Sequence, residues 1–376
     1  MGNRINILPD DVLCHILSFV PTKEVVATSV LSKRWKPLWR SVPALDFDYW
    51  GYYSVMNDNA RFHFVQSVST FILSRDLNQP LKKFLIRCRS SVFDSAFFNA
   101  WLTTAAQSRV EHIDLCLYFK IIVLPPILLN CRTLVVLKLT FLEMSGLSSV
   151  HLPSLKILHL NNVKFLERTH LVVFLCGTPN LEDLETKGVR FRDYETKEIF
   201  RRLPKLVRAV IVKDAVPLDV LYNVQFLRIE EMDDEDIEDQ IPKFHNLTHI
   251  ELCYFDYTRY WIDVFKILEY CPKLRNLSID MEILDSAPDR GLKEYWSCPP
   301  RVPKCISFHL KSCCLNKYTG TVGGFEFAKY ILQNARVLRD MTICNCEDEE
   351  EKEKLEMIKE LSLCRRISST CKLSFN

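Results

Sequence analysis

At 376 residues the chain is two to three times the usual domain length of roughly 100–150 residues, which predicts several modules or an elongated fold instead of one compact core. Hydrophobic residues at 48% and charged residues at 26% exclude a disordered composition, and 49 Lys plus Arg against 47 Asp plus Glu leave a formal charge of +2, too little to hold a nucleic acid or an anionic membrane. A protein partner is expected.

The amino terminus, MGNRINILPDD, lacks the apolar run of a secretory signal, and Asn6 stands where a myristoylation pattern needs Ser or Thr. The longest apolar stretches, such as IIVLPPILL, are short and broken by proline, so no membrane span is expected.

From Leu8 the chain reads LPDDVLCHILSFVPTKEVVATSVLSKRWKPLWRSV. Pro9 suits the opening of a helix because the first N–H needs no partner, and Asp10 and Asp11 favour its positive end. Val12, Leu13, Ile16, Leu17 and Val20 form one apolar stripe, which Pro21 ends. Thr22 is the expected N-cap of a second helix, with Glu24 in its first turn and Val25, Val26 and Val30 making apolar contacts. Ser32 is expected to cap a third short helix carrying Trp35, which Pro37 stops near Lys36, leaving Leu38 and Trp39 in a turn. Three short helices in about forty residues bury too little apolar area to stand alone, so they either cap the rest of the chain or need a partner.

The LP-x-[DE]-x(4)-I-L-S-F-x-P core and the S-x-R-W-x-x-L-W ending resemble the F-box over roughly residues 4–44, through Leu8, Pro9, Ile16, Leu17, Pro21, Leu31, Ser32, Trp35, Leu38 and Trp39. That resemblance implies docking onto a small Skp-type adaptor, which links to a cullin scaffold and a RING subunit bearing a ubiquitin-conjugating enzyme. It places Leu8 and Pro9 at the adaptor contact, with Asp10, Pro21, Leu31, Leu38 and Trp39 in the same set. The Leu13, Ile16 and Leu17 stripe holds the helices together and partly faces the partner, and Trp35 inserts near the interface. The module is assigned residues 1–45, and residues 46–75 a linker and capping helix.

Over residues 76–289 an apolar residue recurs with a second three places on and a third two beyond. The series runs Leu81/Phe84/Ile86, Val110/Ile113/Leu115, Leu134/Leu137/Leu139, Leu155/Leu158/Leu160, Leu181/Leu184, Leu206/Ile211, Val224/Leu227/Ile229, Leu247/Ile250/Leu252 and Leu274/Leu277/Ile279. Its spacing of roughly 18–29 residues lies about the leucine-rich-repeat range. The last two positions alternate about a polar residue, as a strand buried on one face requires, and the first lies in the turn leading in. Between them THLVVFLCGTP and RYWIDVFKILEYCP carry helical periodicity. No unit can bury its own apolar side, so stacked neighbours are expected to build a curved parallel sheet lined by helices. The consensus asparagine is mostly missing, with Asn161 and Asn162 nearest to it, so the series resembles the degenerate repeats of plant proteins.

Residues 290–376 form an α+β cap in this reading: a strand at Phe308 and Leu310, a helix carrying Phe327, Ala328, Ile331 and Leu332, and a strand at Met341 and Ile343. After EDEEEKEK come a helix with Leu355, Ile358 and Leu361 and an edge strand in CKLSF. The W-x-x-P-x-x-V-P-x-C, Y-x-G-x(3)-G and YILQNAxxLxxM runs resemble the FBD domain that follows F-box and leucine-rich segments in plant proteins. The fold class is therefore α/β: a three-helix F-box, a leucine-rich-repeat solenoid and an FBD cap.

Features suggesting catalysis are weak. His245 and His249 fall on a repeat strand, where four-apart residues do not share a helical face, and Gly320, Gly323 and Gly324 make no phosphate loop. Ser, His and Asp occur without a nucleophile elbow, and the acidic runs at 230–240 and 347–354 read as solvated loops. The fifteen cysteines include no CxxC and read as buried reduced thiols in a nuclear or cytoplasmic protein. Catalytic residues, metals and cofactors are expected to be absent. The chain reads as the substrate-recognition subunit of a Skp, cullin and F-box ubiquitin ligase, holding a protein client on its repeats. The alternative is a repeat scaffold outside any ligase.

Overall fold

Strand formation follows the three-position apolar pattern almost residue for residue. The structure, a computed structural model, describes residues 4–48, 58–76, 79–88, 95–193, 200–212, 215–230, 241–254, 260–281, 296, 298–318, 322–345 and 358–375. The chain divides into two units, Met1–Arg201 and Arg202–Asn376.

The first unit opens with helices α1 (Asp10–Leu17) and α2 (Thr22–Ala27), followed by strand β1 (Ala44–Asp48). Next come α3 (Asp58–Ser74), β2 (Lys83–Cys88), α4 (Ser95–Gln107), β3 (His112–Ile122), α5 (Pro126–Leu129) and β4 (Val136–Met144). After these are β5 (Ile157–Asn161), β6 (Lys164–Glu167), α6 (Arg168–Cys176), β7 (Asp183–Glu185) and β8 (Arg190–Asp193). Strands pair in parallel in the order β1-β2-β3-β4-β5-β7, and β6 bridges β4 and β8. Register aligns Leu45, Phe84, Ile113, Leu137, Leu158 and Leu184 as one buried row across six strands. Strands buried on one face must keep that register, because a one-residue slip would send the whole row to solvent. Asn162 leaves β5 with a left-handed φ of 53°, a conformation asparagine tolerates better than most side chains.

The second unit contains β9 (Arg208–Val212), β10 (Phe226–Glu230), β11 (His249–Tyr254), α7 (Tyr260–Glu269) and β12 (Asn276–Met281). It continues with α8 (Lys304–Phe308), β13 (Ser312–Tyr318), α9 (Val322–Asn334), β14 (Asp340–Asn345) and β15 (Lys372–Phe375). These seven strands also pair in parallel in chain order. Residues 358–363 are helical, with Leu361 buried. Trp261 of α7 stacks on Phe327 of α9 with centroids 4.4 Å apart, and Trp296 meets Trp261, Phe265 and Tyr330 edge-on. Such aromatic pairs add to the area they bury.

Each of the nine expected repeat positions leads into a strand. The pattern also extends beyond them, to Val42/Leu45/Phe47 ahead and to Leu310/Cys313/Leu315 and Leu338/Met341/Ile343 behind, all buried. The strand expected at Phe308 and Leu310 is instead helix α8 ending at Phe308, with Leu310 as the turn residue before β13. Pro303 leads into that helix with φ −53°, so the polypeptide turns there before extending.

Two expectations for the first forty residues change. Thr22 is not a cap: it is the first residue of α2 and buried, and its hydroxyl accepts the Asp46 amide N–H at 2.7 Å. The third helix is a single turn, in which the Trp35 and Lys36 amides donate to the Ser32 carbonyl at 3.1 Å, followed by a 3-10 turn over Leu38–Ser41. Pro37 lacks the N–H that would continue the helix. Leu355, Gly320 and the acidic residues 231–240 and 347–354 lie outside the described residues.

Candidate adaptor-binding surface and comparison with known proteins

The first forty residues close a small core. Leu13, Cys14, Leu17, Val25, Trp35, Leu38 and Val42 are buried together, with Leu8, Val20 and Trp39 packed against them. Helical spacing explains two of them, since Leu13 and Leu17 are four apart on α1. Trp35 could not be buried without a partner for its indole N–H, and that group donates to Asn6 Oδ1 at 2.7 Å. Beside it the Arg34 guanidinium gathers the N-terminal segment: it donates to the Asn6 and Leu8 carbonyls and pairs with Asp10 Oδ1 at 2.7 Å. One Arg-Trp dipeptide thus fastens the entry of α1 to the turn that precedes the strands.

The module is tied to the repeats that follow it. Trp39 meets Phe71 of α3 edge-on at 4.9 Å, and the Lys82 amide donates to the Pro43 carbonyl at 2.7 Å. Buried Arg75 donates to the Val42 carbonyl and, at 2.9 Å, to the Pro80 carbonyl. Burial lowers the Arg75 pKa to about 10 against the opposing pull of Asp76.

The expected adaptor-binding residues therefore separate into two groups. Leu13, Leu17, Trp35 and Leu38 are enclosed, and Leu8 and Trp39 are partly so. These six hold the module together, and the four enclosed side chains have no face left to offer a partner. Pro9, Asp10, Ile16, Pro21 and Leu31 are exposed.

The structure leaves several apolar residues in water: Ile5, Ile7 and Phe19, which sequence reasoning passed over, Val12 and Val30, which it had assigned to helix packing, and Ile16 and Leu31 of the expected set. Ile7 is 81% exposed, Phe19 73%, Val30 84% and Leu31 64%, with Ile5, Val12 and Ile16 about two-fifths open. Val12 and Ile16 fall at i and i+4 on a side of α1 distinct from that of Leu13 and Leu17, and Phe19 lies in the turn just after the helix. The sequence signal was an α1 stripe too wide for one contact: five apolar residues where a buried seam needs two or three. An exposed apolar set of this kind is a candidate interaction surface.

Among the described residues no group of three or more His, Cys, Asp or Glu side chains is placed to hold a metal, and no helix is long and apolar enough to cross a membrane. His249 instead contacts Thr248 Oγ1 and Asn276 Nδ2 along the sheet. All fourteen described cysteines are free thiols; eight are buried, whereas Cys176 and Cys298 are exposed.

Comparison with known proteins gives two family-model matches, the F-box domain over residues 5–46 and FBD over residues 299–343. An F-box/FBD/LRR-repeat protein of Arabidopsis thaliana is 30% identical, with 100% of this chain and 99% of the relative aligned. A second protein of that description from the same plant is 29% identical over 99% of this chain and 96% of its own. An FBD-associated F-box protein, also from Arabidopsis, is 26% identical over 99% and 97%.

Proposed function

The chain belongs to the F-box/FBD/LRR-repeat family, and from that membership we propose that it is the substrate-recognition subunit of a Skp, cullin and F-box type ubiquitin ligase. The observation that carries this reading is the set of exposed apolar side chains on an F-box whose own core is already closed. The surface that meets the adaptor comprises Ile7, Pro9, Val12, Ile16, Phe19, Val30 and Leu31. Fully burying one aliphatic side chain contributes about 1.5–3 kcal/mol, so four or five of them sustain a stable interface. Leu13, Leu17, Trp35 and Leu38 act one step removed, by holding that surface in shape.

The protein is not itself a catalyst. It raises the effective concentration of a client near the charged ubiquitin-conjugating enzyme, which performs the thioester chemistry. The client is a protein held by the repeats, and the free thiols fit work in the reducing nucleus or cytoplasm.

Capture of purified Skp-type adaptor by the full chain tests this. The double variant Ile7→Asp with Leu31→Asp changes only exposed positions, and is expected to lose adaptor binding by at least about tenfold, the equivalent of ~1.4 kcal/mol. Undiminished capture by a folded variant would sink the assignment.

A further inference from the structure

A cleft of about 850 Å³ in the second unit is lined by five cations, Arg275, Lys311, Arg336, Arg339 and Lys372, with Asp340 as the one carboxylate. Three of them occupy equivalent places, each the residue immediately before a strand: Arg275 before β12, Lys311 before β13 and Arg339 before β14. Backbone bonds stack them, the Lys311 amide donating to the Arg275 carbonyl at 2.7 Å and the Arg339 amide to the Lys311 carbonyl at 2.8 Å.

The same place in the first unit carries both signs and, before β4, the neutral Val135. Lys82 is followed by Glu111, and Lys156 pairs with Glu182 at 2.8 Å. An uninterrupted column of like charge on neighbouring strands costs folding free energy. Among the described residues none of the five cations forms an ion pair within the chain. Beside them Phe308 is 59% exposed, with the Arg336 guanidinium 6.0 Å above its ring, and Val337 is also open.

We propose that this cleft is a docking site for a doubly phosphorylated, extended segment of a partner protein, with an apolar side chain of that segment resting on Phe308 and Val337. The charge count favours phosphate over carboxylate: the five Lys and Arg cations less one carboxylate leave a net charge of +4, and two phosphoryl groups bring about −3 to −4. Guanidinium forks suit phosphate oxygens in bidentate pairs. Spacing agrees, because Arg275 and Arg339 lie two strand separations apart, roughly 9.6 Å, and phosphates three residues apart on an extended polyproline II segment share one face and span about 9.3 Å. All but one of the lining residues are exposed, so the cleft is an open groove suited to a passing chain, whereas a small-ligand site would enclose its occupant.

As the place where a client is gripped, the cleft rests on the receptor reading above; as a binding site it does not. Fluorescence anisotropy with the full chain separates the two. The probe is a pool of fluorescein-labelled twelve-residue peptides with two phosphoserines three residues apart, Leu or Phe next to one of them and random residues elsewhere. The phosphorylated pool is expected to bind at least about tenfold more tightly than its unphosphorylated counterpart. Reversing the exposed pair Arg275→Glu and Arg339→Glu is expected to remove that preference while circular dichroism and adaptor capture stay unchanged, and Phe308→Ala to give a smaller loss. The proposal is overturned by no measurable binding of the phosphorylated pool, by equal affinity of the unphosphorylated pool, or by indifference to the charge reversal in a folded chain. Equal or tighter binding of tripolyphosphate or an oligouridine would overturn it too, by assigning the cleft to a small polyanion or to RNA.

Discussion

Single side chains decide how the F-box module is built. Leu8, Pro9, Leu17 and Trp35 stand out in the sequence by type and spacing, but the contacts of Arg34, Asn6 and Thr22 are not legible there, because each acts through a partner 24 to 29 residues away. His112 shows a comparable effect in the sheet. It is drawn below its ordinary pKa mainly by burial, with Lys138 and Lys83 adding to the shift and Asp114 opposing it. A depressed histidine pKa means that the unfolded chain binds the proton first, so stability is full above about pH 6.5 and falls as pH drops through the folded value. His112→Gln is therefore expected to reduce the difference in urea midpoint between pH 7.5 and pH 5. A difference as large as in the parent chain would show that another group carries the titration.

Among the elements, the repeat strands were readable because a one-sided sheet needs two alternating apolar residues and a third to close the turn, and local sequence specifies all three. Helix α8 was misread because Phe308 has strand-like chemistry, while Pro303 sets the backbone before it. Helix ends also depend on what lies across from them. Gly177 closes α6 with its carbonyl accepting the Leu152 amide at 2.9 Å, and a Cβ there would come within 2.2 Å of the Val150 carbonyl oxygen. Since backbone atoms cannot step aside as a flexible side chain can, Gly177→Ala is expected to destabilise the chain by about 1–3 kcal/mol, read as a lower urea midpoint. An unchanged midpoint would mean that the Val150 segment yields freely.

For the molecule as a whole, thiol chemistry separates surface from interior. Burial pushes the Cys305 thiol up to about 12 and raises Cys271 and Cys313 as well, which removes the reactive thiolate. Iodoacetamide at pH 8 is expected to modify Cys176 and Cys298 in the native chain and to reach Cys271, Cys305 and Cys313 only on unfolding, as mass spectrometry of the digested protein would reveal. Fast native labelling of Cys313 would contradict its burial. Amino-acid order alone determined the F-box and FBD motifs, the repeat period and the inward residues of nearly every strand, because these follow from spacing along a local backbone. It could not separate Leu13 and Trp35, which face inward, from Ile7, Phe19 and Val30, which face water, nor could it align Arg275, Lys311 and Arg339. Those distinctions arise only when segments tens of residues apart come together, since burial and charge clustering belong to neighbours in space and are absent from neighbours in sequence.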